Sequence, residues 1–591
     1  MTRRYARLRS TLVLVFVAIA GWTGAVWPGR LTAQGGSTPS PSAPAADTDW
    51  PSYGLDTAET RFSRLTQIDG TNAGRLGRVW STAIGEGALP QEATPLVVGG
   101  VMYVVTNWSI TIALDARNGR EMWRYDPQVD RGITAPGANR VCCGVVNRGL
   151  AVHQGKVFVP VIDGRLVALD VKTGAPVWTA QATPAGDIAY TLTIAPRVVG
   201  DKVVVGNSGA EFPPYRGYFS AFDTATGREA WRFYTVPGDP SKPFENPALE
   251  RAAKTWSGEW WKYGGGGSVW DGLAHDPVAN LLYVGTGNGT PWPLEFREST
   301  KNDDNLYVSS ILAVRPETGE LVWHYQTVPG DNWDYDNTAQ LTLATLQIGG
   351  RERQVLMQAP KNGFFYVLDR LTGELISAQP ITGVSWARGI DPKTSRPLIN
   401  DEAYYGTQPV TLAPGAFGAH NWAPMAFSPV TGLMYLPASL GSTFAYARSE
   451  AFAFTPGTMN LGVSFGRGRG AVPPLPGPPR IGPEGQGPHL LAWDPVTQQE
   501  RWRRPGGGAG NGGVVATAGG LVFQTINDGR LMVYAADTGE VRYQAQVVPR
   551  GMAPPMTYAI DGRQYVAMMT QGPPTVHAFA LDGVPVAAPA P

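Results

Sequence analysis

The sequence predicts an all-β protein folded as an eight-bladed β-propeller with tryptophan-docking repeats. Residues typical of short strands and tight turns are abundant, with 73 Gly, 51 Pro, 22 Tyr and 19 Trp among 591 residues, whereas helix-favouring runs are few. One pattern also recurs along the chain: Ala, an apolar residue, Asp, two variable residues, Thr-Gly, three variable residues and Trp. Repeats at a spacing of about 40 to 55 residues are typical of propellers.

The copies of this pattern define the predicted blades. Each copy is expected to form a strand, a turn and a second strand, with its final Trp packed between adjacent sheets. Trp80 closes a degenerate first copy, weaker copies end at Ser377 and Tyr543, and clear copies end at Trp123, Trp178, Trp231, Trp323 and Trp502. Eight endings predict eight four-stranded blades. The wider gaps, 231–323 and 377–502, are expected to hold insertions or an irregular blade.

Two insertions have their own composition. Residues 242–256, "KPFENPALERAAKTW", predict a short helix over one face of the propeller. Residues 446–489 are rich in Gly and Pro and predict a long covering loop.

The N-terminus has the order of a secretory signal. A basic stretch, 1–9, precedes an apolar stretch, 11–27, and small residues offer a cleavage point near Ala33. The apolar stretch approaches the length that spans a bilayer, so an uncleaved anchor is the alternative. An exported chain is expected in the periplasm. The predicted divisions are a signal peptide at 1–34, a flexible linker at 35–48, the propeller at 49–585 and a C-terminal tail at 586–591.

Composition and missing motifs exclude several functions. Lys plus Arg equals Asp plus Glu at 48 each, with no basic cluster after the signal, so no nucleic-acid partner is expected and a small molecule is favoured. The six His residues form no zinc spacing, and there is no CxxCH motif for covalent haem. No GxGxxG precedes a helix, so redox chemistry would need a cofactor other than a nicotinamide.

The only two cysteines, Cys142 and Cys143, are neighbours. Adjacent Cα atoms lie about 3.8 Å apart, less than the usual span of a disulfide. A bond between them would close a small strained ring and staple no loop. Two buried thiols are the alternative, but export favours oxidation. A flat, rigid ring is useful mainly as a surface for another flat object.

These features resemble the quinoprotein alcohol dehydrogenases, eight-bladed propellers that hold pyrroloquinoline quinone (PQQ) between a vicinal disulfide and a tryptophan. The resemblance extends from "DWPSYGLDTAETRFS" at 49–63 to "YAIDGRQYVAMMTQG" at 558–572. The segments "GDPSKPFENPALERAAKTW", "GDNWDYD" and "APKNGFFYVLDR" are similar to the quinohaemoprotein branch. The chain departs from that branch by ending without its cytochrome domain. Electrons are therefore expected to pass to a separate acceptor, a c-type cytochrome.

The resemblance implies a set of PQQ contacts. Trp270 in "GGGGSVWDG" matches the stacking tryptophan, although it could instead be a blade-packing Trp, and Arg148 matches a carboxylate-binding arginine. For the other positions, an ordinary surface or turn residue is the alternative. The expected cofactor-binding residues are Glu92, Cys142, Cys143, Arg148, Thr193, Ser208, Gly209, Ala210, Ser268, Trp270, Lys361, Asn421 and Trp422.

The same resemblance implies a metal site and a base. Glu211, Asn288, Asp334 and Asp336 are the expected ligands of one Ca²⁺ or lanthanide ion, because carboxylate and amide oxygens suit hard cations. Asp334 matches the base that removes the alcohol proton. Residues i and i+2 of an extended segment face the same side, so Asp336 could add a ligand that favours a lanthanide. The alternative for Asp336 is a turn or supporting role, which is also what we expect of Asp331.

The predicted function is periplasmic, PQQ-dependent oxidation of an alcohol to an aldehyde or ketone by hydride transfer to the quinone C5. A quinoprotein aldose dehydrogenase and a non-enzymatic propeller scaffold are the alternatives. The scaffold explains the repeats but not the chemically coherent residues that lie between them. A homodimer is the expectation for the oligomeric state.

Overall fold

The computed structural model describes residues 48–587 except 88, 135–140, 142, 185–189, 210, 213–215, 456–457, 465–485, 509–511, 549–550 and 552. All of these residues belong to one unit, Ala45–Pro591. The predicted signal peptide and almost all of the predicted linker lie outside the described residues, as does most of the predicted tail.

The described residues are mostly strands. In chain order the strands are β1 Phe62–Ser63, β2 Leu76–Ala83, β3 Leu96–Val98, β4 Val101–Val105, β5 Thr111–Asp115, β6 Glu121–Tyr125, β7 Ala151–His153, β8 Lys156–Pro160, β9 Arg165–Asp170, β10 Pro176–Gln181, β11 Arg197–Val199, β12 Lys202–Gly206, β13 Tyr218–Asp223, β14 Glu229–Tyr234, β15 Gly265–Gly266, β16 Leu273–Asp276, β17 Leu281–Gly285, β18 Gly289–Thr290, β19 Ser310–Val314, β20 Leu321–Gln326, β21 Thr342–Ile348, β22 Arg351–Gln358, β23 Phe364–Asp369, β24 Leu375–Pro380, β25 Ala387–Ile390, β26 Pro397–Ile399, β27 Val410–Leu412, β28 Ala426–Ser428, β29 Leu433–Leu440, β30 Phe444–Tyr446, β31 Gly487–Asp494, β32 Gln499–Pro505, β33 Val514–Thr517, β34 Leu521–Thr525, β35 Arg530–Ala535, β36 Val541–Gln546, β37 Met556–Ile560, β38 Arg563–Thr570 and β39 Thr575–Leu581.

Helices are short. The α-helix α1 spans Pro247–Ala253, and the 3-10 helices span Ala73–Arg75, Asn107–Ser109, Arg131–Thr134, Trp260–Lys262, Leu294–Arg297 and Asp401–Ala403. Helix α1 lies within residues 242–256, the insertion for which the sequence predicted a short helix. Its N-terminus is capped by the Asn246 side chain, which accepts a hydrogen bond from Leu249 N at 3.0 Å, and Pro247 follows the cap. No helix in the described part of the chain combines the length and apolar character needed to cross a membrane.

The strands form eight antiparallel four-stranded blades, which confirms the predicted fold. Seven blades are β3–β6, β7–β10, β11–β14, β16-β17-β19-β20, β21–β24, β28-β29-β31-β32 and β33–β36, the last extended by β1. The eighth is β37-β38-β39 completed by β2, so strands from the two ends of the propeller share one sheet. Three two-stranded ribbons, β15-β18, β25-β26 and β27-β30, lie between blade strands in sequence. The apolar core fills the spaces between successive blades.

The outermost strands are joined by one repeated contact. Trp502 Nε1 donates to Ala536 O of the next blade at 3.1 Å, and a Cβ added at Gly539 would lie 2.6 Å from the Trp502 ring. Gly539 also has a φ of 67°, which a β-carbon would strain. Each clear Trp therefore packs on the Gly of the next turn. The same pairing recurs for Trp80 and Gly119, Trp123 and Gly174, Trp178 and Gly227, Trp231 and Gly319, and Trp323 and Gly373.

Two blade boundaries lack this contact. Tyr543 stands in place of Trp at one of them, and at the other both partners differ: Ser377 stands where six blades have Trp, and Gln498 stands where the next turn has Gly. Gln498 Nε2 donates to Ser377 Oγ at 3.0 Å, so a polar contact replaces the indole–glycine contact. Gln498 nevertheless keeps the turn conformation, with a φ of 55°.

Candidate active site

Two carboxylates from the loop that follows Trp333 contact the ammonium group of one lysine from another loop. The Lys361 Nζ atom lies 2.9 Å from Asp334 Oδ2 and 2.6 Å from Asp336 Oδ2, and all three side chains are at least four-fifths buried. Asp334 has a φ of 68°, so this segment is not the extended one that the sequence predicted. Both carboxylates nevertheless reach the same cation.

Glu211 and Asn288 come from two other loops and border this cluster. The Asn288 backbone amide donates to Asp336 Oδ1 at 2.8 Å. Burial raises the pKa of Glu211 to about 7, with the charge of Asp336 adding to the rise and that of Lys361 opposing it. The backbone carbonyl of Glu211 accepts from Asn460 N at 2.8 Å, so the insertion after β30 packs against this site.

The electrostatics of the cluster favour a cation. Burial raises the pKa of Asp334, Lys361 opposes the rise, and the charges of Asp336 and Glu211 add to it. Three carboxylates thus repel one another around a single ammonium group. Among the described residues, no three His, Cys, Asp or Glu side chains converge closely enough to form a metal site by themselves. The predicted ligand set therefore stays a prediction.

A second group of predicted residues surrounds Arg148. Its Nη2 lies 3.0 Å from Glu92 Oε2, and its Nη1 donates to Thr193 Oγ1 at 2.7 Å and Trp270 O at 3.4 Å. The guanidinium carbon lies 4.6 Å from the centre of a Trp270 ring. Arg148, Glu92 and Thr193 are buried and Trp270 is half-buried. The structure therefore brings residues from four separate motifs beside one another.

Gly287 connects the two groups. A Cβ added at Gly287 would lie 2.9 Å from Asp336 Oδ1 and equally 2.9 Å from Ser268 Oγ, so these two atoms flank the same point. Ser268 is only two residues before Trp270. Within the described residues, Ser268 Oγ and Arg148 Nε are buried without a hydrogen-bond partner. Two buried donors without partners, one of them on the Arg148 guanidinium, therefore lie close to the Trp270 indole. This arrangement fits a flat ligand that carries carboxylates.

The remaining predicted contacts are less directly connected. Ser208 Oγ lies 2.6 Å from Thr191 Oγ1, and Gly209 has a φ of 82° just before Glu211. Asn421 and Trp422 are half-buried in a loop whose Ala419 N donates to Lys361 O at 3.1 Å. The structure brings this loop beside Lys361, but the Asn421 side chain bonds within its own loop, to Phe417 O at 3.0 Å.

Two predicted residues, Cys142 and Ala210, lie outside the described residues, and so does the predicted bond between the cysteines. Cys143 is described and exposed. It lies near enough to Arg148 to raise the pKa of the guanidinium, a smaller effect than those of burial, which lowers it, and of Glu92 and Asp271.

Several buried groups near the site were not predicted. Asp271, which follows Trp270, accepts a hydrogen bond from Tyr53 OH at 3.5 Å. Arg197 pairs with Glu59 at 2.6 Å and lies over the Tyr53 ring at 4.5 Å. Burial raises the pKa of Glu59 to about 7 against the opposing charge of Arg197. No spacing in the sequence marks these residues, because segments far apart in the chain bring them together.

Asp331 has the turn role that the sequence predicted. Its Oδ1 accepts from the amides of Trp333 and Tyr335 at 3.3 and 3.1 Å, and its Oδ2 accepts from Gly289 N at 3.3 Å. It therefore shapes its own loop and also bonds the loop that carries Asn288.

A family profile described as glucose/ethanol/alcohol dehydrogenase, beta-propeller domain, matches residues 50–411 and 485–566. Fold and profile together define a propeller of the dehydrogenase class. The chain belongs to the PQQ-dependent dehydrogenase family and is therefore an oxidoreductase, which confirms the predicted resemblance and excludes the scaffold alternative.

Individual relatives agree with this assignment. The chain is 48% identical to quinohemoprotein alcohol dehydrogenase ADH IIB of Pseudomonas putida over 88% of this chain and 73% of the relative. The crystal structure of the quinohemoprotein alcohol dehydrogenase of Comamonas testosteroni superposes with a TM-score of 0.85 at 43% identity, covering 93% of this chain and 83% of that one. A europium-containing methanol dehydrogenase superposes with a TM-score of 0.80 at 31% identity, covering 91% and 98%.

Proposed function

We propose that this chain is a periplasmic dehydrogenase that uses PQQ and a bound metal ion to oxidise an alcohol to an aldehyde or ketone. The observation that carries the proposal is the junction of two groups at Gly287: an acid–lysine cluster and a buried arginine beside an indole. The first group suits proton transfer, and the second suits an anionic, planar cofactor. Relatives named as alcohol dehydrogenases support an alcohol rather than an aldose.

The cofactor would be held by residues of both groups. Trp270 would cover one face, and a Cys142–Cys143 disulfide the other. Arg148 would bind a carboxylate bidentately, with Glu92, Thr193 and Ser268 beside it. Ser208, Gly209, Ala210, Lys361, Asn421 and Trp422 would complete the rim. When bound, PQQ supplies a carbonyl carbon, C5, that accepts a hydride, and the metal ion polarises that carbonyl.

Asp334 would take the hydroxyl proton of the alcohol. Its pKa is raised by burial, which makes it a better proton acceptor than an exposed carboxylate, and Lys361 opposes the rise. A base must be ionised before it accepts a proton, so we assign Lys361 the task of keeping Asp334 charged. The hydrogen bond of 2.9 Å between them supports this role.

The metal would be bound by Glu211, Asn288, Asp334 and Asp336. Asp336 adds a carboxylate to the set, and a trivalent ion gains more than a divalent one from an added negative charge. We therefore favour a lanthanide over calcium, a choice that the resemblance to a europium-containing enzyme also supports. Reduced cofactor would be reoxidised by a separate c-type cytochrome, and the enzyme would act as a homodimer.

The test is reconstitution of the purified protein with PQQ and either Ca²⁺ or La³⁺, followed by a dye-coupled screen of alcohols and aldoses. We expect oxidation of alcohols that requires both additions and is faster with La³⁺, and we expect Asp336→Ala to remove the preference for La³⁺. Oxidation of aldoses alone would favour the aldose dehydrogenase. Full activity with Ca²⁺, no gain with La³⁺ and an unaffected Asp336→Ala variant would refute the lanthanide.

A further inference from the structure

A fully buried arginine, Arg297, lies between the two loops that carry most of the proposed metal ligands. It ends the 3-10 helix Leu294–Arg297 and has no exposed surface. Its Nη1 donates to Pro291 O and, at 2.9 Å, to Trp292 O. Its Nη2 donates to Asp331 O at 2.7 Å. One guanidinium thus bonds both the loop that begins at Asn288 and the loop that contains Asp334.

Two further hydrogen bonds cross between the same loops. Asp331 Oδ2 accepts from Gly289 N at 3.3 Å, and Asn332 Oδ1 accepts from Leu294 N at 2.9 Å. A Cβ added at Gly289 would lie 2.6 Å from the Arg297 guanidinium carbon, so the guanidinium packs directly on the backbone beside Asn288. These contacts link the backbone beside Asn288 to the loop that carries the proposed carboxylate ligands.

Burial of the Arg297 charge between the two loops is energetically unfavourable. The hydrogen bonds of the Arg297 guanidinium go to backbone carbonyls and to the amide oxygen of Asn305 rather than to a carboxylate, and its Nε atom has no partner among the described residues. Burial lowers the pKa of Arg297 to about 10, against the opposing charge of Asp331. A buried cation without a salt bridge is unfavourable unless its position serves another purpose. A rigid planar fork can hold several carbonyl groups at fixed angles, which a lysine ammonium cannot.

We infer that Arg297 and Asp331 are positioning residues that fix the spacing between Asn288 and the Asp334–Asp336 pair, and thereby set the affinity of the site for its metal. The inference rests on the proposed metal site. Neither residue needs to touch the metal, because each acts through the backbone of a ligand-bearing loop. Residues that orient metal ligands in this way typically change metal affinity by about 10- to 100-fold when they are replaced.

The chain provides a matched control in Arg61. This arginine is also fully buried, its pKa is also lowered to about 10 by burial, and it also donates mainly to backbone carbonyls, at Val514, Tyr53 and Pro555. None of its bonds reaches the loops at 288–292 or 331–336. Arg61→Lys therefore disrupts a similar network of buried hydrogen bonds without disturbing the proposed metal ligands.

The experiment compares wild type, Arg297→Lys, Asp331→Asn and Arg61→Lys. Each metal-free protein is titrated with Ca²⁺ and with La³⁺ against a fluorescent chelator, and its thermal midpoint is measured separately. We expect Arg297→Lys and Asp331→Asn to bind either ion about 10- to 100-fold more weakly, and Arg61→Lys to bind within about threefold of wild type, at similar losses of thermal midpoint.

The outcomes separate the inference from the proposed function. Wild-type affinity in the Arg297→Lys and Asp331→Asn variants would overturn the positioning role, and so would an equal loss in Arg61→Lys. If Arg297→Lys does not fold, the milder Asp331→Asn decides the question by the same criteria. A wild-type protein that binds neither ion would instead refute the proposed metal site on which the inference rests.

Discussion

The outer edge of the propeller and the centre, by which we mean the candidate active site around Asp334, Lys361 and Arg148, are built in different ways. At the edge, the same indole–glycine contact joins one blade to the next, as Trp502 and Gly539 do. At the centre, Asp334, Lys361 and Arg148 each occur once, and each comes from a different blade or loop. The edge is apolar and repetitive, whereas the centre gathers buried charges.

This difference indicates that the edge contributes mainly to stability and the centre mainly to chemistry. An indole on a glycine gains from burial and one hydrogen bond, and it requires no charge to leave water. Glu211 and Asp334 lose solvation at the centre, and burial raises their pKa values against the opposing charge of Lys361. Buried carboxylates with perturbed pKa values cluster at functional sites. Changes at the centre should therefore affect activity, and changes at the edge should affect folding.

The largest expected effect is the loss of the base. Asp334→Asn keeps the shape of the side chain and its contact with Lys361 but cannot accept the alcohol proton. We expect kcat to fall by about 100- to 10,000-fold, the usual contribution of a general base. The thermal midpoint and the PQQ content, measured by unfolding and by absorbance, should stay close to those of wild type. Retention of at least a tenth of the activity would show that another group is the base.

Substitutions at the edge should lower the unfolding free energy and leave the activity unchanged. Trp502 is only 8% exposed, and Trp502→Ala would leave a cavity between two blades, which we expect to cost about 3 to 5 kcal/mol of unfolding free energy. Because Trp502 packs on Tyr435, Tyr534 and Gly539 and on none of the proposed site residues, kcat/KM of the folded variant should be unchanged within about twofold. Trp502→Phe keeps a ring but loses the hydrogen bond to Ala536 O, and it should cost less. A large fall in kcat/KM for either variant would contradict the separation of edge and centre.

The same contrast explains what the sequence could predict. Both partners of the edge contact lie inside one repeated pattern, so the repeats alone predicted eight blades and the packing role of their Trp residues. At the centre, Arg148, Trp270, Lys361 and Asp334 were predicted only through their resemblance to family motifs.

Arg297 was missed because its neighbours in the sequence, "LEFRES", resemble an ordinary exposed turn. Only the fold shows that this arginine has no access to solvent and lies between two loops. The network of Glu59 and Arg197 was missed for a related reason, since these partners are 138 residues apart. A buried cation cannot be recognised in sequence unless its partner is local.

A buried ionisable group away from the centre tests whether charge in the blades affects stability alone. His577 on β39 is 4% exposed, and burial, with a smaller effect of Arg78, lowers its pKa from 6.5 to about 4. The unfolded chain therefore binds the proton more tightly. The unfolding free energy should fall as pH drops from about 6.5 to about 4, by about 3 kcal/mol at most.

The measurement is denaturant unfolding of wild type and His577→Phe between pH 4 and pH 8. Thr570 Oγ1 contacts His577 Nε2 at 3.2 Å but also donates to Thr575 O at 3.4 Å, so it keeps a partner in the variant. We expect the stability of wild type, relative to that of the variant, to decrease only below about pH 6.5. A pH-independent difference between the two proteins would contradict the lowered pKa of His577.

The smallest net effect is expected where the edge contact is already missing. Ser377→Trp alone should collide with the Gln498 side chain, and overpacking of this kind costs about 1 to 3 kcal/mol. Gln498→Gly alone should change stability little, because relief of the positive φ offsets the lost hydrogen bond. The double variant restores the indole–glycine pair and should recover most of the loss, a coupling of about 1 to 3 kcal/mol in a double-mutant cycle measured by chemical unfolding. Additive effects would show that this blade boundary differs from the others in backbone geometry, and that the edge contact depends on more than the two residues that form it.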